Sequence, residues 1–518
     1  MMRRLFALVT LGIFLCGCLP TSQPPDPTKT PRAFLTITPQ ADVQVLPKTN
    51  RPNILFILTD DLDADLGTIN YMPHLQELLV SQGLTVDDFF ISEPLCCPSR
   101  STLLRGQYTH NHQVYRNDMP YGGFEQFYTL KNESSTLATW LQAAGYRTAL
   151  FGKYLNGYPF PEDRSYVPVG WNEWYSASKG SPFAGFRYTM NENGKQVDYA
   201  ETGQGGESQY MTDVLSRKAA DFMQRAGAAH VPFFAYLSTY APHEPVKPAH
   251  RHEALFPDLK APRGGSFNEA DVSDKPANLR NDPLLTDEQI KQMDLEYLLR
   301  VQAMQAVDEM IAHLVTILKE TGQLDNTYII FTSDNGYHFG QHRLPAGKAT
   351  PYEEDIHVPF IVRGPDIKAG STLQGYITGN VDFAPTIAEL AGVMPPGYVD
   401  GRSMVKLFSA EPPPVSDWRS GYLLEFYGYN ETGANPNAAA PVPAPAPEYL
   451  GLRTTQYLYV EYSDGFVELY DLKTDPYEMN NFAATADKAL LDNLSKWLHT
   501  LYACKGKQCI TFDQGIAK

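Results

Sequence analysis

The chain has 518 residues, 43% of them hydrophobic, enough to bury a large core and build more than one structural unit. Its formal net charge of −17 argues against nucleic acid as a partner and gives no general attraction for a polyanionic glycan, so any anion site must be local. The 12% aromatic content, with 31 Tyr, suits sugar-facing surfaces, although half-buried tyrosine is also ordinary packing.

Met1, Met2, Arg3 and Arg4 precede an apolar stretch over 5–15, the length of a signal peptide rather than of a membrane span. Leu15-Cys16-Gly17-Cys18 resembles a bacterial lipobox with Cys18 as the acylated residue, so a lipid anchor is the one expected tie to a membrane. A plain secretory signal is the alternative, and both export the protein, to the cell envelope or the medium. Residues 19–50, rich in Pro, Thr and Gln, read as a disordered linker.

The first element of the folded part is an apolar run of strand length over 51–61, ending in Asp60 and Asp61. Such a run predicts a strand buried on both faces, and in open α/β sheets ligands gather beyond the carboxyl ends of strands. Next comes Cys96-Cys97-Pro98-Ser99-Arg100, continued by Ser101-Thr102-Leu103-Leu104-Arg105-Gly106. A helical stretch with Leu137, Trp140 and Leu141 precedes a short strand over 147–153 with Lys153 at its end. Another buried strand over 231–238 leads to His243. Thr286, with Gln289 three residues on, fits a capping box opening a long helix to Glu320. That helix delivers the chain to a second acid-bearing strand, 328–333, followed by Asp334 and Asn335, with Lys348 shortly after. A strand over 358–362 and a helix from Asp382, with Pro385 near its first turn, complete the alternating pattern, which favours a mostly parallel sheet flanked by helices.

From about Ser409 the pattern changes to strands over 421–427, 449–453, 457–462 and 467–471, a small antiparallel sheet interrupted by an Ala/Pro-rich insertion over 434–447. Cys504 and Cys509, with four residues between them, suit a small loop disulfide in an oxidising compartment.

The Cys96–Gly106 motif resembles the signature of the type I sulfatases. In that family the first cysteine is oxidised after translation to formylglycine (3-oxoalanine). Its hydrate is a geminal diol: one hydroxyl attacks sulfur, and the other loses its proton so that sulfate is expelled. Only Cys96 stands two residues before Pro98; Cys97 fills the free position. The resemblance implies an α/β, alkaline-phosphatase-like fold, with a catalytic domain over 51–408 and a C-terminal antiparallel subdomain over 409–518. It implies one Ca²⁺ held by Asp60, Asp61, Asp334 and Asn335, Arg100 beside the diol, and Lys153, His243 and Lys348 gripping sulfate. It also implies two partners, a sulfated sugar or glycan as substrate and a formylglycine-generating enzyme during maturation. Many sulfatases carry a His two residues after the Lys; here Leu155 stands there, leaving that proton-handling role unfilled or moved. Gly152-Lys153-Tyr154-Leu155-Asn156, His110-Asn111-His112, Val169-Gly170-Trp171 and Asp334-Asn335-Gly336-Tyr337-His338 are similar to the N-acetylglucosamine-6-sulfatases and extracellular heparan sulfate 6-sulfatases. Two other readings stand beside this one: a phosphoester or phosphonate hydrolase of the same superfamily, and a surface glycan-binding lipoprotein with an unconverted Cys96.

Overall fold

The apolar run after Pro52 forms β1 (Asn53–Thr59), whose alternate residues enter different cores: Ile54, Phe56 and Leu58 one, Leu55 and Ile57 the other. With both faces buried there is no polar side to alternate with, hence the unbroken apolar sequence. The computed structural model describes residues 37–40, 43–48, 50–199, 209–428 and 447–515; the expected leader with Cys18 and nearly all of the 434–447 insertion lie outside the described residues.

The elements that matter for the site follow β1 in order: β2 (Leu84–Val86), α1 (Cys96–Arg105), α2 (Leu137–Ala143), β3 (Arg147–Gly152), β4 (Glu173–Gly180), β5 (Tyr188–Glu192), β6 (Lys195–Tyr199), α3 (Met211–Ala228), β7 (Phe233–Ser238), α4 (Asp287–Glu320), β8 (Thr327–Ser333), β9 (Phe360–Arg363), β10 (Ser371–Leu373) and α5 (Phe383–Leu390). Among the described residues the large sheet has ten strands in the order β10-β2-β9-β8-β1-β7-β3-β4-β5-β6. The central run β8-β1-β7-β3-β4 is parallel. Antiparallel pairing enters only through β9, against β8 and β2, and through β5, against β4 and β6. The sheet is therefore mixed at its flanks and parallel where the site lies. Helices cover both faces, α1, α2 and α5 through Leu103, Trp140 and Ile387, and α3 and α4 through Phe222, Met304 and Ile311. The capping box of α4 forms as expected, Gln289 N donating to Thr286 Oγ1 at 3.3 Å and Thr286 N to Gln289 Oε1 at 3.0 Å.

The C-terminal strands β11 (Gly421–Phe426), β12 (Tyr449–Thr454), β13 (Tyr457–Tyr462) and β14 (Val467–Asp471) form an antiparallel meander. A helix foreseen nowhere in the sequence reading, α6 (Lys488–Tyr502), packs Leu494, Leu498 and Leu501 on the same core; their helical spacing was the available signal. Cys504 and Cys509 are disulfide-bonded. The stretch over 19–50, expected to be a free linker, is docked where it is described: Gln44 and Val45 pair antiparallel with Met394 and Val393, and Lys48 Nζ donates to the Leu390 carbonyl at 2.5 Å.

The His110-Asn111-His112 motif fastens the C-terminal tail and does not enter the site. His110 Nδ1 pairs with the Glu425 carboxylate of β11, and its Nε2 lies 3.0 Å from the Cys504 carbonyl oxygen. Asn111 Nδ2 donates to the same carbonyl at 3.0 Å, while His112 Nε2 sits 3.1 Å from Thr102 Oγ1 in α1. Burial opposes the His110 charge, but Glu425 and the carbonyl outweigh it and raise its pKa to about 9. A histidine raised in the folded state stabilises fully below its unfolded pKa of about 6.5, and that contribution is lost as pH rises through about 9. His110→Gln is therefore expected to lower Tm markedly at pH 6.5, with the gap to wild type narrowing towards pH 10. Thermal melts across that range check it; a constant gap would rule out the charged pair.

Candidate active site

Because β1 and β8 are parallel neighbours with Thr59 opposite Ser333, the acidic residues that follow each strand arrive side by side. Asp61 N donates to Asp334 Oδ1 at 3.1 Å, and Asn335 Nδ2 donates to Asp61 Oδ1 at 2.8 Å. On the other side of β1, β7 ends at Ser238 and β3 runs into Lys153, whose N–H donates to the Ser238 carbonyl at 2.9 Å. Gly152 makes this approach possible: its φ is +107°, and a Cβ there would stand 1.8 Å from that carbonyl oxygen.

The cysteine motif itself forms α1, a helix with every residue buried. Leu95 at its N-cap offers no side-chain cap, and Asn117 Oδ1 instead accepts from Cys97 N at 2.8 Å. Cys96, the first helical residue, points its Sγ to within 3.7 Å of Asp60 Oδ1 and 4.0 Å of Asp61 Oδ1. Cys97 packs in the hydrophobic core instead. One turn on, Arg100 Nε donates to Asp334 Oδ2 at 2.7 Å and Nη1 to Ser238 Oγ at 2.6 Å. Its Nη2 is buried without a hydrogen-bond acceptor, 3.6 Å from Asp60 Oδ1.

The three further cationic candidates converge on the same point. Lys153 Nζ donates to Asp60 Oδ2 at 2.6 Å. Lys348 Nζ pairs with Asp61 Oδ1 and lies 2.8 Å from Cys96 Sγ. His243 Nδ1 lies 2.5 Å from the Glu244 carbonyl oxygen, which fixes the ring with Nε2 3.7 Å from Asp61 Oδ2. Burial would raise the Asp60 carboxyl, but Lys153, His243, Arg100 and Lys348 hold it well below the ordinary carboxylate range. Burial likewise opposes the Lys348 charge, and Asp61 overcomes it, so Lys348 stays protonated. For His243 burial wins over Asp61 and Asp60, and its pKa is lowered. Burial pushes the Cys96 thiol up to about 11 despite the two lysines, so as a thiol it is protonated.

All nine residues singled out in the sequence are thus brought together. Sequence reasoning missed two neighbours. Ser238, the last residue of a buried strand, was findable by position. Phe183, in the loop between β4 and β5, had no signal; its ring lies 5.3 Å from Lys153 Nζ and 4.5 Å from the His243 ring. Leu155, where many sulfatases carry a His, is buried in the apolar core.

The sulfatase family profile matches residues 52–393, and the N-sulphoglucosamine sulphohydrolase C-terminal profile matches 340–503. The chain belongs to the sulfatase family. This sulfatase is 34% identical over 493 residues to human N-acetylglucosamine-6-sulfatase, the alignment covering 90% of this chain and 88% of that one. It is 36% identical over 392 residues to an extracellular sulfatase homolog of Drosophila melanogaster, covering 74% of this chain and about a third (34%) of that longer protein. A solved structure described as a complex with its substrate D-glucosamine-2-N,6-O-disulfate superposes with a TM-score of 0.69 at 26% identity, over 87% of this chain and 97% of that one. The enzyme is accordingly a sulfuric ester hydrolase with the alkaline-phosphatase-like architecture of its structural neighbours.

Sulfatases in general use a metal ion and a formylglycine. The residues here fit a hard divalent cation. Asp60, Asp61, Asp334 and Asn335 offer only oxygen donors towards it, and the Asn335 Oδ1 is buried without any hydrogen-bond donor. Ligand atoms of Asp60, Asp61, Cys96 and His243 lie within 4.8 Å of one another. The three carboxylates balance Arg100, Lys153 and Lys348, so a divalent ion would leave the centre with an excess positive charge suited to a sulfate ester.

Proposed function

We propose that this sulfatase hydrolyses a primary 6-O-sulfate on a glucosamine-type glycan. The arrangement that carries the reading is the convergence of Lys153, His243 and Lys348 around Cys96, in a chain aligned along most of its length with an N-acetylglucosamine-6-sulfatase. The solved neighbour bound to a 6-O-sulfated glucosamine supports the same sugar class.

In this reading Cys96 is converted to formylglycine by a formylglycine-generating enzyme, and its hydrate supplies the oxygen nucleophile and the second hydroxyl that lets sulfate depart. Asp60, Asp61, Asp334 and Asn335 would hold one Ca²⁺, which when bound would supply Lewis-acid polarisation of the sulfate and stabilisation of negative charge on the nucleophilic oxygen. Arg100 orients Asp334 and opposes the burial that raises its carboxyl to about 6. Lys153 and Lys348 bind the sulfate oxygens, and the Glu244 carbonyl holds His243 with Nε2 towards Asp61. Lys348, protonated beside Asp61, or His243, once the bound sulfate favours its charge, donates a proton to the departing sugar oxygen.

An alkoxide leaves poorly and a phenolate readily, so loss of that donor discriminates between substrates. His243→Ala and Lys348→Ala should each be compared on glucosamine-6-sulfate and 4-nitrophenyl sulfate. The donor's variant is expected to lose roughly 10²-fold or more on the sugar beyond its loss on the aryl ester. Equal losses on both esters for both variants would remove the leaving-group role. Inactivity on every 6-sulfated glucosamine would remove the sugar assignment and leave the family membership standing.

We also place the enzyme outside the cytoplasm, exported as a lipoprotein through Cys18 or secreted. The leader composition, the Cys504–Cys509 disulfide and the extracellular sulfatase relative support export. Among the described residues no helix is long and apolar enough to cross a membrane.

A further inference from the structure

Successive side chains of a strand point to opposite faces, yet Asp60 and Asp61 both direct carboxylate oxygens at Cys96. The alternation is broken at Asp61 itself, whose φ of 66° is left-handed and disfavoured for a residue other than glycine. Such a conformation persists only where its surroundings hold it. Asp334 accepts from the Asp61 N–H, and the group that grips the Asp61 carbonyl is Arg300 of α4. Its Nη2 donates to the Asp61 carbonyl oxygen, and its Nη1 donates at 3.0 Å to the carbonyl oxygen of Pro242, the residue before His243. The guanidinium carbon lies 4.2 Å from the centroid of the Tyr337 ring, two residues after Asn335, and 5.3 Å from that of Phe339. Arg300 is buried, and both of these hydrogen bonds go to backbone that carries the site, while the Asp63 and Glu296 carboxylates lie close enough to feel its charge. One rigid fork thereby touches all three segments that bring Asp61, His243 and Asn335 to the centre.

We propose that Arg300 is a positioning residue of this sulfatase: by holding the left-handed turn at Asp61 in register with the His243 loop, it sets the affinity of the cation site and the rate of the chemical step without touching substrate. The proposal rests on the reading of Asp61 as a cation ligand. Arg300→Met keeps an apolar stem over the aromatic rings and removes both donors. Arg300→Lys keeps the charge and can reach one carbonyl at a time.

The test uses the full chain and measures Ca²⁺ affinity by competition with a chromophoric chelator, together with kcat and KM on a sulfate ester and Tm. For Arg300→Met the expected result is a 10- to 100-fold weaker Ca²⁺ affinity, roughly the effect of removing an outer-shell partner, a kcat at least about tenfold lower, and KM within about threefold of wild type. Arg300→Lys should fall between the two. Arg419→Met, which breaks the buried pairs with Asp382 and Asp513, serves as the structural control: it should lower Tm and leave Ca²⁺ affinity in the fraction that remains folded unchanged. Wild-type affinity and kcat in Arg300→Met would overturn the proposal. Should that variant not fold, wild-type affinity in Arg300→Lys would overturn it equally. A wild-type protein that binds no divalent cation would instead overturn the ligand reading of Asp61, and the proposal with it.

Discussion

Cys96→Ala is expected to reduce sulfate ester hydrolysis by at least about 10⁴-fold, to background, because it removes the atom on which the nucleophile is built. The fold should survive, since Cys96 has no covalent or ion-pair partner and the truncation costs on the order of 1 kcal/mol. Cys97→Ala should be mild, since Cys97 belongs to the hydrophobic core. Peptide mass spectrometry of active enzyme is expected to show an aldehyde or its hydrate at position 96 and an intact thiol at 97. Full activity from protein whose Cys96 is still a thiol would end the formylglycine mechanism.

The second large effect is expected at Asp334. Its carboxylate accepts from Arg100 Nε at 2.7 Å and from Asp61 N at 3.1 Å, and it stands among the oxygens assigned to the cation. Asp334→Ala should lose the bound cation and activity together. It also removes the carboxylate that pairs with the buried Arg100 Nε, and breaking a buried pair costs about 3–5 kcal/mol, so instability alone would mimic inactivity. Asp334→Asn separates the two effects: it retains an oxygen for Asp61 N but withdraws one negative charge from the site. The expected outcome is a folded protein with sub-stoichiometric metal by elemental analysis and at least about 10²-fold lower kcat. Stoichiometric, tightly bound metal in both variants would remove Asp334 from the ligand set, and a zinc pair in the wild type would point to a phosphatase-like centre.

Much of this centre was legible because its residues sit at ends of short, self-declaring segments. An apolar run followed by Asp60 and Asp61, a second followed by Asp334 and Asn335, and a strand ending in Gly152-Lys153 need only the rule that parallel strands expose their carboxyl ends together. The four C-terminal strands and the 504–509 disulfide were likewise local in their signals. What stayed hidden depends on distant partners. Nothing near Arg300 in sequence announces that it reaches back to Asp61, 239 positions away. His110 and His112 carry the residue type of catalytic groups, but Glu425 and Thr102 claim them, and only tertiary structure shows that. The flanking strands β2 and β10 are three residues each, too short for periodicity to register.

If Cys96 is converted as proposed, its complete burial imposes an order of events on the life of this molecule. Its side chain has 0% exposure, closed in by Lys348, Asp60 and Arg100 and carried on a helix with no exposed residue. A small sulfated sugar can be offered an edge of such a centre, but another protein cannot bring its own catalytic groups to a sulfur at that depth. Under the proposed formylglycine mechanism, the converting enzyme would therefore have to meet the chain as an extended segment, before β1 and β8 have closed side by side. On that mechanism activity would be decided once, before folding, and a molecule that folds first would be locked out of conversion unless it unfolds again.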